Sequence, residues 1–235
     1  MKKLCVLLAV CMLLCLPAAG MAETAAVVEG FGLSIPADTT VLDLDAAGVN
    51  VTDTAELCRV IGQLPLLQEV WLYNSELPRE EMELLFDTYP DIFFGFTLRF
   101  AIHTVRTDAT AFSTLHHSTI KDKKDYEHGD GQLSQLRMCT RLKALDLGHN
   151  QLTDLSFLSE MTGLRVLILA PNYDLKDISP LANLTELEYL ELFSTDTKDV
   201  SALSGMHKLR DLNLSCSHYL HDLSPLYGLA SLERF

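Results

Sequence analysis

The chain has 235 residues, of which 48% are apolar and 21% charged, and its formal net charge is −14. This acidic balance, with no stripe of Lys and Arg to offset it, excludes nucleic acid as an expected partner because phosphates would be repelled. Cationic proteins, peptides and divalent ions stay compatible with such a surface. Beyond the N-terminal segment no apolar run is long enough to cross a bilayer, so we do not expect an integral membrane protein.

Residues 1–22 are predicted to be an export signal. Two lysines near the start are followed by 13 apolar residues, Leu4–Leu16, and then by a small-residue exit ending at Ala22. An uncleaved membrane anchor is the alternative, but the apolar run is short for a span. Cleavage after Ala22 would remove two lysines and no acid, so the net charge would change from −14 to −16. We therefore expect a secreted or surface-associated bacterial protein.

Residues 23–105 carry strand and helix signals with a long period and are predicted to form N-terminal leucine-rich coils with helices. Apolar residues spaced three and four apart indicate helices, and short apolar or alternating runs indicate strands. Equivalent strand positions Leu42 and Val70 are 28 residues apart. Strands are predicted at Val41–Leu44, Leu67–Leu72, Ile92–Phe94 and Phe96–Ile102, and helices at 57–64 and 80–86.

Residues 106–131 break every pattern and are predicted to be an irregular insert, either a long ordered loop or an irregular coil. Together with His103, three residues before it, this stretch collects imidazoles and carboxylates, which are both metal ligands. They are His103, His116, His117, His128, Asp122, Asp125, Glu127 and Asp130. A metal-dependent or hydrolytic enzyme is therefore the alternative function. No known metal-binding spacing is present, however, and we expect no metal, no cofactor and no catalytic residue.

Residues 132–235 repeat one motif with a period of 22 or 23 residues, starting at Leu142, Leu164, Leu187, Leu209 and Leu232. Leucines at the first, fourth and sixth positions of the first four copies are typical of a coil that begins with a short strand. Apolar residues three apart on the return stretch favour 3₁₀ turns. The predicted fold is an α/β leucine-rich repeat solenoid, right-handed and curved. Its parallel sheet would line the concave face, with helices and 3₁₀ turns on the convex face.

Two polar positions recur in each of these coils. The slot after the strand holds Asn150, Asn172, Thr195 and Ser217, where an amide would satisfy backbone groups of the corner. Thr and Ser can do this only in part, so we expect the corners of the second half to be less well held. An Asp two residues before a Ser opens each return stretch and is predicted to cap its first N–H groups.

Three cysteines remain after the signal: Cys58, Cys139 and Cys216. An odd count at wide spacing is not a disulfide framework. Cys139 occupies an apolar slot of the repeat and is predicted to be a small buried side chain. Cys216 follows a strand and is predicted to be accessible.

The concave face is the predicted binding surface, because alternate strand side chains point away from the leucine core. Exposed aromatic and branched residues beside carboxylates make suitable anchors for a protein partner. The candidate partner-binding residues are Trp71, Tyr73, Asp146, Ile168, Tyr189, Glu191, Phe193 and Asp211. We therefore predict a protein-binding scaffold without catalysis.

The stretch Leu142–Phe235 resembles the bacterial leucine-rich repeat family that includes the internalins. The segment Asp177–Leu192 is close to the repeat consensus of that family. The resemblance implies a secreted or surface protein that grips another protein with its concave face. The 22/23 alternation, the helical coils and the irregular insert differ from internalins, and no wall-anchoring signal is present.

The chain stops inside a strand motif at Leu232–Phe235. A solenoid end without a polar cap exposes apolar surface and an unpaired strand edge. Either the chain is a piece of a longer protein or this edge pairs with another chain. Leu229, Leu232 and Phe235 are predicted to be more exposed than their equivalents one coil earlier.

Overall fold

The computed structural model describes residues 26–100, 102–115 and 128–235. The predicted signal 1–22 and the middle of the predicted insert lie outside the described residues. The chain forms two compact units, of which the first ends at Phe96 and the second begins at Thr97. In the part of the chain that is described, no helix combines the length and the apolarity that crossing a bilayer would need.

Unit 1 opens with an antiparallel hairpin of β1 (Val27–Gly30) and β2 (Leu33–Pro36). Its parallel sheet has the order β3-β4-β5, and two helices alternate with these strands. The elements are β3 (Val41–Asp43), α1 (Thr54–Ile61), β4 (Glu69–Trp71), α2 (Arg79–Thr88) and β5 (Phe93–Gly95). Leu42 pairs with Val70, which confirms the predicted equivalence of these two coils.

Unit 2 also opens with an antiparallel hairpin, formed by β6 (Thr97–Phe100) and β7 (His103–Arg106). A five-stranded parallel sheet follows, with neighbours in chain order from β8 to β12. Its strands are β8 (Ala111–Ser113), β9 (Ala144–Asp146), β10 (Val166–Ile168), β11 (Tyr189–Glu191) and β12 (Asp211–Asn213). Helix α3 (Asp130–Leu133) continues into a 3₁₀ turn, Ser134–Met138.

The leucine positions of the repeat form the core of unit 2. Leu145, Leu167, Leu190 and Leu212 pair across adjacent strands and are at most 3% exposed. The return stretches are 3₁₀ turns, as the spacing of three predicts: Ser156–Leu158, Ser179–Asn183, Ser201–Leu203 and Ser224–Leu226. Stacked coils thus bury one continuous apolar column, which confirms the predicted solenoid.

The predicted caps are present on every return stretch. Each Ser N–H donates to the Asp two residues before it, at 2.7 to 2.8 Å. The bond from the Ser179 N–H lowers the pKa of Asp177, because it favours the charged carboxylate. Cys139 is buried as predicted, and burial raises the pKa of its thiol to about 12.

The two units begin with the same arrangement at a separation of 70 residues. In unit 1 the Thr40 carbonyl accepts hydrogen bonds from the N–H groups of Gln68 and Glu69. In unit 2 the Thr110 carbonyl accepts them from Lys143 and Ala144. Each hairpin therefore leads, over the same number of residues, into the first strand of a parallel sheet. The sequence reasoning did not identify this repetition, because few of the equivalent residues are identical.

Parts of the stretch 106–131 are regular. Strand β8 pairs in parallel with β9, so Phe112 occupies the position that leucine fills in the later coils. At the other end of the stretch, Gly129 forms a bridge with Gln151, and α3 follows. No sequence pattern indicated β8, because this three-residue strand has only one inward-facing apolar side chain, Phe112.

The last coil is more exposed than the preceding one, as predicted. Phe235 is 69% exposed, whereas its equivalent Leu212 is 3% exposed. Leu229 is 6% exposed and its equivalent Met206 is fully buried. Arg234 forms an isolated backbone β-bridge with Asp211 on β12.

Candidate binding face on the parallel sheet of unit 2

The solvent-facing side of β8–β12, hereafter the strand face, is built by the first and third residues of each strand. The middle residue of β9, β10, β11 and β12 is buried, and its two neighbours are half-buried. The first row is Ala111, Ala144, Val166, Tyr189 and Asp211. The second row is Ser113, Asp146, Ile168, Glu191 and Asn213. Strict alternation along each strand therefore aligns five side chains in each row.

A shallow depression of about 330 Å³ lies on the β8–β10 part of the strand face. The small side chains of Ala111 and Ala144 line it together with Val166 and Ile168. A step from alanine to branched residues along the rows leaves room above the alanines. The depression is thus an apolar recess that one side chain of a partner can enter.

Carboxylates stand on both sides of Ile168 in the second row. The Asp146 side chain accepts hydrogen bonds from the Ser113 hydroxyl (2.9 Å) and from the Gly148 N–H (3.0 Å). The Tyr189 hydroxyl donates to Glu191 at 2.8 Å, and this bond raises the pKa of Tyr189 because it favours the neutral phenol. Both carboxylates are therefore held in place by neutral donors of the strand face.

Asp211 differs from the other two acids. Arg234 donates to its carboxylate, and these hydrogen bonds lower the pKa of Asp211. Its charge is consequently compensated within the chain. Phe193 is half-buried and follows Glu191 by two residues, beyond the end of β11.

Trp71 and Tyr73 belong to unit 1. Trp71 is half-buried at the end of β4, and its ring N–H donates to Glu69 at 2.9 Å. Tyr73 is only 9% exposed, contrary to the expectation that it would be an accessible anchor. Its ring lies over Gly95, where an added Cβ would come within 2.5 Å of the ring. The lack of a side chain at Gly95 leaves room for the ring, so Tyr73 is buried against the neighbouring strand.

Two of the histidines singled out in and near the predicted insert lie side by side in the described part of the chain. The rings of His103 and His128 are 4.9 Å apart, in contact with Phe100. Burial lowers the pKa of His128, because the charged imidazolium would lose its hydration. Asp130 instead accepts hydrogen bonds from Thr153 and from the Asp154 N–H. Within the described residues no group of three or more His, Cys, Asp or Glu could hold a metal ion.

Sequence reasoning missed the small residues that form the depression. Ala111 lies on the strand that the sequence did not reveal, and Ala144 becomes informative only beside Ala111 and Val166. It also missed two exposed tyrosines at the corners, Tyr173 (69%) and Tyr219 (51%). The extra residue in the corners of the second and fourth coils is the signal that could have pointed to them.

Comparisons with known proteins give one family match and several similar solved structures. The family model for leucine-rich repeats in two copies matches residues 140–183. No curated protein sequence matches the chain. Two similar solved structures are an internalin, InlF (21% identity, TM-score 0.43), and internalin C2 (22%, 0.38), both from Listeria monocytogenes strain 4b F2365. Another is the functional domain of InlJ from Listeria monocytogenes (14%, 0.27).

The alignment with InlF covers 87% of this chain and 50% of InlF. The alignment with internalin C2 covers 75% of this chain and 74% of that structure, and the alignment with InlJ covers 72% and 48%. The chain thus spans half the length of InlF. At these identities the likeness concerns the fold alone. The parallel ladder of leucine-filled strands and the 3₁₀ returns form a leucine-rich repeat solenoid, and the family model for leucine-rich repeats matches residues 140–183 of it.

Proposed function

We propose that this chain is an extracellular protein-binding scaffold that recognises a protein partner through the concave strand face of its repeats. The observation that carries the proposal is the composition of the strand face of unit 2. Apolar, aromatic and carboxylate side chains stand there in aligned rows beside a shallow recess. An open, ordered sheet surface with aromatic anchors suits a protein partner, whereas catalysis needs a site that excludes water.

The proposed contact residues are Asp146, Ile168, Tyr189, Glu191, Phe193 and Asp211, with Trp71 on unit 1. Tyr73 is left out because it is buried. The strands of the unit 2 sheet stack at a fixed spacing, so the contact side chains on β9–β12 keep their separations without further ordering on binding. Such preorganisation lowers the entropic cost of association.

Affinity capture from the surroundings of the producing cells tests the proposal. The full chain would be compared with the triple variant Trp71→Ala/Tyr189→Ala/Phe193→Ala, and captured proteins would be identified by mass spectrometry. We expect the variant to recover about tenfold less of a specific partner, since aromatic anchors dominate interface energies.

A matched control removes three exposed apolar side chains outside the strands, as Leu66→Ala/Leu84→Ala/Tyr227→Ala. These residues are 54%, 58% and 85% exposed. Capture by the control should equal that of the wild type. Equal capture by the wild type and the aromatic triple variant would remove the proposal.

Export is the second part of the proposed function, and it rests on the charged, apolar and small-residue succession in residues 1–22. The chain should be recovered outside the cytoplasm of a bacterial host with Glu23 as its first residue. N-terminal sequencing of the recovered protein identifies its first residue directly. Retention in the cytoplasm with Met1 intact would contradict it.

A further inference from the structure

The charge pattern of the strand face indicates what kind of segment it binds. Asp146, Ile168 and Glu191 occupy matching positions on three adjacent strands, so an apolar side chain stands between two carboxylates. Adjacent strands are about 4.8 Å apart, which places the backbones of Asp146 and Glu191 about 10 Å from each other.

Neither carboxylate is compensated by a cation of the described residues. The described ion pairs include Asp211 with Arg234, but none contains Asp146 or Glu191. Their hydrogen bonds come from a hydroxyl and an N–H group at Asp146 and from a phenol at Glu191. Neutral donors fix the positions of these oxygens and leave the negative charges in place. The two rows contain no Lys or Arg on β8–β12.

We propose that the occupant of the strand face is an extended, basic segment of a protein partner that presents an apolar side chain between two cations. The apolar side chain enters the recess lined by Ala144, Val166 and Ile168, and the cations pair with Asp146 and Glu191. Side chains on one face of an extended chain are two residues apart, so Lys or Arg at positions i and i+4 flank an apolar residue at i+2 on the same face. These two cations are about 13 Å apart along the chain, and their long side chains can reach carboxylates whose backbones are about 10 Å apart. This inference rests on the proposed function and specifies the chemistry of its partner.

Long-range electrostatics favour the same partner. The net charge of −14 attracts a cationic segment and raises its rate of encounter at low salt. At the strand face, the recess can bury an apolar side chain of the partner, which a purely charged segment does not have. Arg is the better cation beside Tyr189, because its planar group can stack on the ring while it pairs with Glu191.

Fluorescence anisotropy with short synthetic peptides tests the inference on the full chain. The probe peptides carry Arg at i and i+4 with Leu at i+2, so that all three side chains share one face of the extended peptide. Two control peptides replace the Arg residues by Glu or the Leu by Gly. We expect binding of the Arg–Leu–Arg probes alone, weakening as salt is raised, because exposed charge pairs are screened.

The double variant Asp146→Asn/Glu191→Gln should weaken binding of the probe about tenfold, since it removes both charges and keeps the shapes of the side chains. Its matched control is Glu160→Gln/Asp174→Asn, which changes the net charge equally at two exposed positions outside the strands. The control should bind the probe like the wild type. Circular dichroism of both variants shows whether the fold is retained.

Equal loss of binding in the two double variants would overturn the inference, because net charge alone would then explain it. Equal binding of the Glu peptides, or no binding of any probe peptide, would overturn it as well. Capture of a partner that depends on Tyr189 and Phe193 but not on Asp146 and Glu191 would leave the proposed function intact and remove only this inference.

Discussion

The first and last corners of the repeat array are held differently. Asn150 accepts a hydrogen bond from the His128 N–H and donates to the Thr114 hydroxyl and to the Leu147 carbonyl. Asn172 accepts from the Leu152 N–H and donates to the carbonyls of Leu147 and Leu169. Each asparagine thus connects its own corner to the preceding coil.

The later corners lack this connection. The Thr195 hydroxyl bonds only within its own coil, to the Leu192 carbonyl and to Thr197. The Ser217 hydroxyl is buried and has no hydrogen-bond partner among the described residues. This confirms the expectation that the second half is less well held. A side-chain amide has both a donor and an acceptor that reach neighbouring coils, whereas a hydroxyl is too short.

The largest expected effect is at the best-held corner. Asn172→Ala should lower the free energy of unfolding by about 3 kcal/mol, because it leaves buried backbone groups of two coils without partners. Thr195→Ala is the matched comparison and should cost about 1 kcal/mol. Urea denaturation of the two variants measures both values. Equal losses would mean that the two halves of the array are held alike.

A somewhat smaller loss of stability is expected where the coil of Gly148 closely approaches the next coil. An added Cβ at Gly148 would collide with the Ala170 carbonyl oxygen on the next coil. Gly148→Ala should therefore destabilise the protein by about 2 kcal/mol through backbone displacement. At Gly205 the nearest atom to an added Cβ is 4.0 Å away, in Thr185, so Gly205→Ala is the control. Thermal unfolding that shifts equally for both would contradict the close approach.

Ser217→Asn should make the last corner resemble the first ones. An amide at this position can donate to the Leu214 carbonyl, in the way that Asn172 donates to the Leu169 carbonyl. We expect a gain of about 1 kcal/mol in the free energy of unfolding, since one buried hydrogen bond is added. Hydrogen exchange of the last coil should slow down in parallel. Unchanged or faster exchange there would show that the residue at the corner is not what limits its stability.

The smallest expected effect is on pH dependence at the Asn150 corner. Burial lowers the pKa of His128, so the folded state disfavours the protonated ring and the unfolded chain binds more protons. Stability is therefore fully present above the ordinary histidine pKa near 6.5 and falls as the pH drops below it. Hydrogen exchange should show the Asn150 corner loosening first in acid. His128→Gln should reduce this pH dependence, and an unchanged profile would contradict the assignment.

Much of the repeat array was predictable, because each coil offers the same environment to the same position. Leu145, Leu167 and Leu190 are buried for one reason, so a period in the sequence indicates a column in the core. The caps at Asp154 and Asp177 act over two residues and are equally local. Strand β8 and the two hairpins were harder to predict from the sequence, since their pairing partners are distant and their residues do not repeat visibly.

The candidate site was predictable in outline. Alternation along a strand identifies Ile168, Tyr189 and Glu191 as solvent-facing, and the structure aligns them in rows. Which charges remain uncompensated could not be foreseen, because the pairing of Asp211 with Arg234 joins residues 23 positions apart. The burial of Tyr73 likewise depends on the space above Gly95 on the neighbouring strand.

By itself the sequence determined the leucine register, the 3₁₀ returns and the unequal corners. Periodic burial and short-range hydrogen bonds depend on residues that are close together in the sequence. Only the tertiary structure decided the position of β8, the recess above Ala111 and Ala144, and the absence of an ion pair to Asp146 or Glu191 within the described residues. These features arise where different coils meet, and contact across coils depends on side-chain sizes and charges that no single period encodes.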